Sequence, residues 1–272
     1  MIKVSIVTVT YNCKSIIRET LENILQQNYC NKEVLVIDGN STDGTLDILN
    51  LIADKLDYFS SKPDKGIFDA MNKSLNHVTG DYVIFMNAGD RFVNNHIISD
   101  VFNDYNGDED LIYGDDYIQT NLGYKLRKAS AIYTNNPTQR DLVLKSQGFC
   151  HQALFTKTGI LKRIKFNLNY PLGADYDTTA QVFFKGNHLI KYVGKPIAIF
   201  DDRHGGASHN QVRKIYKERM LMFKYQPTFI DWLLITKKVY ISTFKILIER
   251  LFPNLSDRKR RRHYISQIVN EK

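Results

Sequence analysis

Strand-like and helical segments alternate through the first 92 residues, and this alternation limits the possible folds more than any other feature of the sequence. The strand-like segments are KVSIVTVTY, EVLVIDG, LDYFSS and DYVIFMN, at 3–11, 33–39, 56–61 and 81–87. The intervening segments, at 15–27, 41–54 and 66–78, have the apolar spacing of helices. Strands separated by helices of about ten to fifteen residues form parallel βαβ units. The sequence therefore predicts an α/β fold with a mainly parallel, Rossmann-like sheet flanked by helices.

Polar or acidic residues follow each of the four predicted strands. The four groups are Thr10-Tyr11-Asn12, Asp38-Gly39-Asn40, Pro63-Asp64-Lys65 and Asn87-Ala88-Gly89-Asp90. Ligands of open parallel sheets bind outside the carboxyl ends of the strands. A single acid in such a loop is usually a turn or capping residue, which is the role expected for Asp43 before Gly44. Four polar strand ends in succession instead predict a shared binding site.

The sequence contains no glycine-rich phosphate loop of the G-x-G-x-x-G or G-x-x-x-x-G-K-[ST] type. A nucleotide bound at this edge therefore needs another way to neutralise its phosphates. A divalent cation held by a strand-end carboxylate can do so, because hard cations take oxygen ligands and bridge phosphate oxygens. Asp90 is the candidate ligand, and the small residues Ala88 and Gly89 would let a ligand approach the backbone closely.

Four segments together resemble the family 2 glycosyltransferases. They are SIVTVTYN, VLVIDGNSTDGT, KPDKGIFDAMNKS and GDYVIFMNAGDRF, in this order and spacing. The resemblance covers roughly residues 2 to 210, and it implies an inverting enzyme with the GT-A fold that uses a nucleotide sugar. The nucleoside-binding residues that it implies are Thr10, Tyr11, Asp38 and Asp64. Asp38 and Asp64 would accept hydrogen bonds from ribose or base, and Asp90 would be the last acid of the family's DxD motif for Mn²⁺ or Mg²⁺.

The metal motif of this chain is reduced relative to the family pattern. Asn87 and Gly89 stand where the family often has further acids. A single carboxylate binds a divalent cation weakly, so another ligand is expected. His204, in the loop DDRHGGAS at 201–208, is a candidate for the metal shell or for the diphosphate. The alternative is an ordinary exposed loop histidine.

A second departure concerns the positive charge near the phosphates. Met71 stands where the family often has an Arg, whereas the next residue, Asn72, matches the family. Lys65 is a candidate for the missing charge. The other residues expected around the donor are Asn12, Asn87, Ala88 and Gly89.

The second half of the chain is expected to bind the acceptor and to supply the general base. In YPLGADYDTTAQVFF, at 170–184, two acids precede an apolar helical stretch. By resemblance, Asp175 matches the Asp of the family's Glu-Asp motif, the general base, with Ala174 in place of the Glu. The alternative is that Asp175 caps the helix and Asp177 lies in its first turn, where acids suit the helix dipole. We favour Asp175 over Asp177 as the base.

Two further positions are candidates for acceptor or sugar binding. His151-Gln152 matches close relatives of the family at this point and is expected to contact sugar or acceptor hydroxyls, although a lone His is most often structural. YGDDY, at 113–117, is expected to end a further strand. Its Asp115 either lines the acceptor side or makes a turn.

The net charge divides the chain into a near-neutral body and a basic tail. From Gln211 onward there are fifteen basic and five acidic residues, whereas the first 210 residues hold 22 basic and 24 acidic ones. We therefore expect a catalytic domain over 1–210, with a nucleotide-binding half (1–92) and an acceptor-binding half (93–210), and a helical tail over 211–272. A near-neutral body argues against nucleic-acid binding.

The tail segment FIDWLLITKKVYISTFKILIERLF, at 229–252, predicts an amphipathic helix. Asp231, Lys238, Ser242, Lys245 and Glu249 form one polar stripe, and charges interrupt the run too often for a spanning helix. The helix either packs on the catalytic domain or lies in a membrane interface, where the adjacent DRKRRRH would attract anionic lipid. Three widely spaced cysteines and the absence of a signal-peptide pattern predict a cytoplasmic protein, peripheral on the inner face of the cell membrane.

The sequence predicts transfer of a sugar, first of all from a UDP-sugar and otherwise from a GDP-sugar, to a saccharide or lipid-linked acceptor. Two other functions remain open. A sugar-phosphate nucleotidyltransferase shares the layered fold, but VTYNCKS lacks the glycine- and arginine-rich loop expected after its first strand. A non-catalytic sugar-nucleotide-binding protein would keep Asp38 and Asp64 but would not need Asp90 or Asp175.

Overall fold

A computed structural model describes residues 1–103, 105, 107–129, 138–145, 150–184, 187–203 and 211–251. The strands are β1 (Val4–Thr10), β2 (Lys32–Asp38), β3 (Tyr58–Ser61), β4 (Tyr82–Phe85), β5 (Arg91–Phe92), β6 (Leu111–Thr120), β7 (Gly123–Arg127), β8 (Leu154–Lys157) and β9 (Ile190–Asp201). The helices are α1 (Ile17–Leu25), α2 (Thr45–Asn50), α3 (Ile67–Ser74), α4 (Ile97–Phe102), α5 (Gln139–Leu144), α6 (Thr158–Ile164), α7 (Ala174–Phe184), α8 (Val212–Met222) and α9 (Phe229–Leu251).

The strands form one sheet in the order β3-β2-β1-β4-β8-β6-β9-β5, and β7 pairs with β6. The first four strands in this order are parallel, as the alternation of strands and helices predicts. Beyond β4 the sheet is mixed, because β8 runs antiparallel to both β4 and β6. The predicted α/β fold is therefore confirmed, with a parallel first half and a mixed second half.

The central strand β1 is buried at all seven positions, as expected for a parallel strand covered by helices on both faces. Alternate residues enter two apolar clusters. Ile6 packs in a cluster with Ile17 and Leu21 of α1, whereas Val7 packs with Phe68 and other residues of the α3 side. This two-sided core fixes the strand register.

The register brings the polar strand ends level with one another. Thr10 pairs with Asp38, and Asp38 pairs with Ser61.

At the opposite end of the sheet, the buried carboxylate of Glu33 accepts hydrogen bonds from Ser5 Oγ (2.5 Å) and from the backbone N–H of Thr79 (2.6 Å). Burial alone would raise the pKa of Glu33, but these bonds and the neighbouring Lys3 outweigh it and lower the pKa to about 2.

The C-terminal helix α9 packs on the body through its polar residues. Asp231 is fully buried and accepts hydrogen bonds from Arg140 Nε (2.7 Å) and from the hydroxyl of Tyr225 (2.5 Å). Two turns further on, Lys238 Nζ donates to the carbonyl oxygen of Leu144 at 2.6 Å. The predicted helical character of the C-terminal part is confirmed for the described residues 211–251, and the N-terminal part of the polar stripe of α9 faces inward.

Most apolar side chains of α9 up to Phe244 consequently point away from the body. Those with large exposed side chains are Phe229, Ile230, Trp232, Leu233, Leu234, Tyr240, Ile241 and Phe244. Among the α9 side chains that the structure describes, those up to Phe244, Ile235 alone is a buried member of an apolar cluster, beside Val143 and Tyr216. Within the parts of the chain described above, we find no helix with the length and apolar character needed to cross a bilayer.

Candidate active site

Three of the parallel strand ends meet around Gly39. A Cβ added at this glycine would lie 2.6 Å from Oδ2 of Asp64 and 3.2 Å from Cδ2 of Tyr11. The missing side chain therefore allows the Tyr11 ring and the Asp64 carboxylate to lie close together. The side chain of Tyr11 is 60% exposed. An exposed aromatic ring beside a carboxylate can stack on a base and accept hydrogen bonds from base or ribose.

Asp38 and Asn12 shape this edge through bonds within the protein. Asp38 is fully buried, and its carboxylate accepts hydrogen bonds from the hydroxyls of Ser41 (2.5 Å) and Ser61 (2.6 Å). Asn12 Oδ1 accepts from the backbone N–H of Thr42 at 2.9 Å. Both side chains hold the loop after β2 in place, and a direct role in nucleoside binding remains a prediction.

Asp90 is buried at the end of the loop after β4. Its Oδ1 accepts from the backbone N–H of Asp201 (3.0 Å), and its Oδ2 accepts from Nε2 of Gln152 (2.6 Å). Burial raises the pKa of Asp90 to about 6, although these hydrogen bonds act in the opposite direction. The preceding Gly89 has φ 101° and donates its N–H to Thr20 Oγ1 at 2.9 Å, which fixes the turn that presents the acid.

A chain of hydrogen bonds connects the β4 loop to the predicted base. Asn87 Nδ2 lies 2.9 Å from Nε2 of His151, and His151 Nδ1 lies 3.3 Å from Oδ2 of Asp175. His151 begins the short 3₁₀ turn before β8, and Asp175 lies in the first turn of α7. Four residues predicted separately from sequence thus converge with Asp90 in one place: Asn87, His151, Gln152 and Asp175.

Several buried polar atoms at this edge have no hydrogen-bond partner. Four such side-chain atoms are found in the described residues, and three belong to predicted ligand-binding positions: Thr10 Oγ1, Asn87 Oδ1 and Gln152 Oε1. Buried polar groups in folded proteins are nearly always paired. Their concentration here indicates where a polar ligand completes the hydrogen bonding.

A small apolar cavity of about 20 Å³ adjoins the His151–Asp175 pair. Its walls include Phe85, Leu154 and Phe166. One side of the pair is therefore held in an apolar environment, which strengthens electrostatic interactions between the two side chains.

The structure places other predicted residues in different surroundings. Asn72 uses both ends of its side-chain amide to clamp the backbone of Phe166, with N–H···O distances of 2.8 Å in each direction. Lys65 is exposed, and its backbone N–H donates to Asp69 Oδ2 at 2.9 Å. Roles for these two side chains in donor binding stay predictions. His204 lies outside the described residues.

One expectation and one alternative about local structure were wrong. The YGDDY segment lies within β6 and does not end it, because β6 continues to Thr120 and pairs there with β7. Asp115 Oδ1 accepts from the backbone N–H of Ala129 and from the hydroxyl of Tyr192, both at 2.7 Å, so this side chain joins neighbouring segments. Asp175 does not cap α7, since the helix already begins at Ala174.

Sequence reasoning missed two residues that position Asp90. One is Asp201, whose backbone N–H binds Asp90 and whose carboxylate accepts from Arg203 Nε at 2.8 Å. Asp201 is the last residue of β9, so the rule applied to the first four strand ends would have found it. The other is Thr20, which lies in the middle of α1 and carries no signal beyond its position on the buried face.

The types of residue at this site are suitable for binding a divalent cation. Asp90 is a buried carboxylate for which no ion pair with a cationic side chain is found in the described ranges, and buried charges in proteins are paired or bind metals. No cluster of three or more His, Cys, Asp or Glu able to hold a metal occurs among those residues. The Asp90 carboxylate is a hard oxygen ligand of the kind that such cations take.

Comparison with known sequences identifies the family. The model of glycosyl transferase family 2 matches residues 5–162, which is more than half of the chain. A PGL/p-HBAD biosynthesis glycosyltransferase of Mycobacterium bovis is 29% identical over 224 residues, which is 80% of this chain and 84% of that relative.

Solved structures share the fold at lower identity. TarS residues 1–349 of S. aureus, in complex with UDP, superpose with a TM-score of 0.60 at 19% identity, over 80% of this chain and 65% of that one. A complex of the same protein with UDP-GlcNAc gives a TM-score of 0.61 at 18% identity, over 94% and 77%. The mannosyltransferase PcManGT of Pyrobaculum calidifontis, in complex with GDP-Man and Mn²⁺, gives 0.59 at 16% identity, over 88% and 69%.

Proposed function

The chain belongs to glycosyl transferase family 2 and has the GT-A fold, and from this premise we propose which reaction it performs. It transfers a sugar from a nucleoside-diphosphate sugar, in the first place a UDP-sugar, to a hydroxyl of a saccharide or lipid-linked saccharide, with inversion. The observation that carries this proposal is the hydrogen-bonded chain from Asn87 through His151 to Asp175, directly beside Asp90.

The donor nucleoside binds at the first three strand ends in this proposal. The exposed ring of Tyr11 stacks on the base, and Asp64 accepts a hydrogen bond from base or ribose across the space left open by Gly39. The unpaired hydroxyl of Thr10 is available nearby. The structures of TarS with UDP and UDP-GlcNAc support a uridine donor on the same fold.

The acceptor reacts on the side of Asp175. Its hydroxyl oxygen attacks the anomeric carbon, the bond from that carbon to the diphosphate oxygen breaks, and the leaving diphosphate keeps the electron pair. Asp175 accepts the hydroxyl proton, a role that typically contributes about 10²–10⁴-fold in rate. One displacement inverts the configuration, so no second carboxylate is needed as a nucleophile. Residues 1–92 thus serve the donor and residues 93–210 serve the acceptor and the base.

Asp90, with His204 as a further candidate, would hold Mn²⁺ or Mg²⁺. When bound, such a cation neutralises charge that develops on the leaving diphosphate. The chain's own contribution is to hold the Asp90 carboxylate rigidly, since Gln152 and the backbone of Asp201 fix both of its oxygens. The structure of PcManGT with Mn²⁺ supports a metal on this fold.

Release of nucleoside diphosphate from UDP- and GDP-sugars, with and without Mn²⁺, tests the proposed function directly. We expect slow metal-dependent hydrolysis of one donor even without acceptor, and a higher melting temperature with that donor, because a ligand bound only by the folded protein stabilises it. A melting-temperature shift with no turnover under any acceptor would favour the non-catalytic binding protein. Formation of a sugar nucleotide from a sugar phosphate and a nucleoside triphosphate would favour the nucleotidyltransferase.

The proposal places the enzyme at the cytoplasmic face of an anionic membrane. The support is the orientation of α9, whose polar stripe is fixed to the body by Asp231 and Lys238. Its outward apolar side chains are thereby presented to the surroundings, as a membrane interface requires. The segment DRKRRRH follows in the sequence, and each basic residue near an anionic surface contributes about 1 kcal/mol. A lipid-linked acceptor would be reached from this position.

Replacing three outward residues of α9 is expected to abolish binding to anionic liposomes. Leu233, Tyr240 and Phe244 lie on one line of the helix and are 54%, 74% and 61% exposed, so their replacement by Gln should leave the melting temperature nearly unchanged. The measurement is co-sedimentation with phosphatidylserine-containing vesicles at low salt. The matched control replaces the scattered exposed residues Leu51, Leu168 and Leu189 by Gln. Equal sedimentation of both triple variants and of the original protein would refute the membrane role of α9.

A further inference from the structure

We propose that Asn87 fixes the tautomer of His151 and that His151, through its Nδ1 proton, positions the carboxylate of Asp175 for catalysis. This inference rests on the proposed function for the role of Asp175. It assigns Asn87 to the base side of the site, as a positioning residue, and thereby differs from its expected place among the donor-binding residues.

The assignment of protons follows from the two contacts of the imidazole ring. An ionised carboxylate only accepts hydrogen bonds, so the 3.3 Å contact between His151 Nδ1 and Asp175 Oδ2 requires a proton on Nδ1. Neutral imidazole then has its lone pair on Nε2. The amide nitrogen of Asn87, 2.9 Å away, donates to that lone pair. The three side chains form one directed series of donors, from Asn87 to His151 to Asp175.

An acid at position 87 could not serve in this way. A carboxylate has no proton to donate to Nε2, so it would instead accept from an Nε2–H. The ring would then either lose its Nδ1 proton and cease donating to Asp175 or carry both protons between two carboxylates. In both cases Asp175 would no longer accept a hydrogen bond from a neutral imidazole. This explains in chemical terms why an amide stands here, although the resembling family often has an acid at the same place.

The ring lies in partly buried, mainly apolar surroundings. The side chains of His151 and Asp175 are only 17% and 21% exposed. An apolar cavity wall containing Phe85 and Leu154 adjoins the pair. During turnover the proton from the acceptor hydroxyl goes to the free electron pair of Asp175, and His151 keeps its Nδ1 proton throughout. The imidazole therefore orients the base and does not exchange a proton with the acceptor.

A spectroscopic measurement tests the tautomer without requiring turnover. In protein labelled with ¹⁵N-histidine, with the His151 signals assigned by their loss in His151→Gln, we expect the proton on Nδ1 and a non-protonated Nε2. In Asn87→Asp we expect a protonated Nε2. A protonated Nε2 with a bare Nδ1 in the original protein would overturn the proposal, whether or not the enzyme turns over any sugar nucleotide.

Two replacements of His151 distinguish the two nitrogens. In His151→Asn the amide nitrogen takes the place of Nδ1 and can still donate to Asp175, whereas in His151→Gln it takes the place of Nε2 and cannot. We expect His151→Asn to keep kcat within about threefold and His151→Gln to lose roughly tenfold or more, the usual scale for a residue that orients a functional group. KM for the donor should change little in both. Equal losses in the two variants would contradict the role of Nδ1.

A double-mutant cycle shows whether Asn87 acts through the ring. Asn87→Asp is expected to lower kcat roughly tenfold in the original protein and to have no further effect in His151→Asn, because the imidazole that transmits its influence is gone. An equal loss in both backgrounds would mean that Asn87 contacts the donor directly, and the proposal would fail while the proposed function stood. Failure of the original protein to turn over any donor would instead reject the proposed function, and the ¹⁵N result would still decide the tautomer.

Discussion

Asp175→Asn is expected to lower kcat by roughly 10²–10⁴-fold while leaving the affinity for the sugar nucleotide nearly unchanged. The amide keeps the shape of the side chain and can still accept a hydrogen bond from His151, but it cannot take the proton of the acceptor hydroxyl. The carboxylate is 21% exposed beside His151, so the substitution should not destabilise the fold. Steady-state kinetics with donor and acceptor, together with a binding isotherm for the donor, measure the two quantities separately.

Asp177→Asn is the matched control, two residues away on the same helix. Asp177 is largely buried and its Oδ2 accepts a hydrogen bond from Gln181 Nε2 at 2.9 Å, so its side chain serves the helix. We expect this variant to keep most of its kcat and to lose some thermal stability. The assignment of the base would have to move to Asp177 if the two variants exchanged these phenotypes.

The second large effect is expected for Asp90→Asn, which should abolish metal-stimulated turnover, a loss on the order of 10²–10³-fold. The replacement can be accommodated. The side-chain oxygen still accepts from the backbone N–H of Asp201, and the new amide nitrogen can donate to Gln152 Oε1 once the Gln152 amide, whose Nε2 faces Asp90 in the original protein, turns over. Turnover is measured over a Mn²⁺ titration, with Asp43→Asn as the control, because Asp43 at the same edge accepts hydrogen bonds from the backbone N–H groups of Lys14 and Thr45.

Asp90→Asn is also expected to change how the stability of the protein depends on pH. Burial raises the pKa of Asp90 to about 6, above its value in an unfolded chain. Its contribution to stability is therefore fully present below about pH 4 and is lost as the pH rises through about 6. In EDTA at pH 7.5, Asp90→Asn should melt at a higher temperature than the original protein, and at pH 4 the difference should vanish.

Added Mn²⁺ should reverse that order at neutral pH. A cation that binds only the folded protein raises its melting temperature, and the asparagine variant lacks the charged ligand for it. An Asp90→Asn protein that responded to Mn²⁺ like the original would show that another residue is the principal metal ligand.

The sequence alone predicted the parallel half of the sheet and most of the residues that the structure brings together around Asp90. A strand-end rule needs only the boundaries of strands, and those are marked by turn residues such as Gly39 and Gly89. This rule predicts that Asn87 and Asp90 lie at the same edge of the sheet as Tyr11 and Asp64.

The sequence does not show the bonding partner of a polar side chain when that partner is distant in the chain. Asp38 bonds to Ser61, and Asn72, which was identified through the family resemblance, bonds to the backbone of Phe166. Their roles in donor binding stay predictions. No local pattern distinguishes an acid that faces a ligand from one that holds its own loop. The sequence likewise could not show which face of α9 lies inward, because the partner of the buried Asp231 is Arg140, 91 residues earlier. A helical periodicity identifies two faces but does not say which of them meets the protein.

The join between β4 and β8 has a consequence for how this enzyme would fail under heat. The two strands pair at only two positions, Tyr82 with Lys157 and Val83 with Thr156. Asn87 follows β4 and His151 precedes β8, so the bond between them crosses the end of this short ladder. Partial opening of a structure requires less free energy than its complete unfolding. The alignment of the site residues on β4 and β8 would consequently be lost at a lower temperature than the fold as a whole. Folded but inactive molecules would then accumulate below the melting temperature.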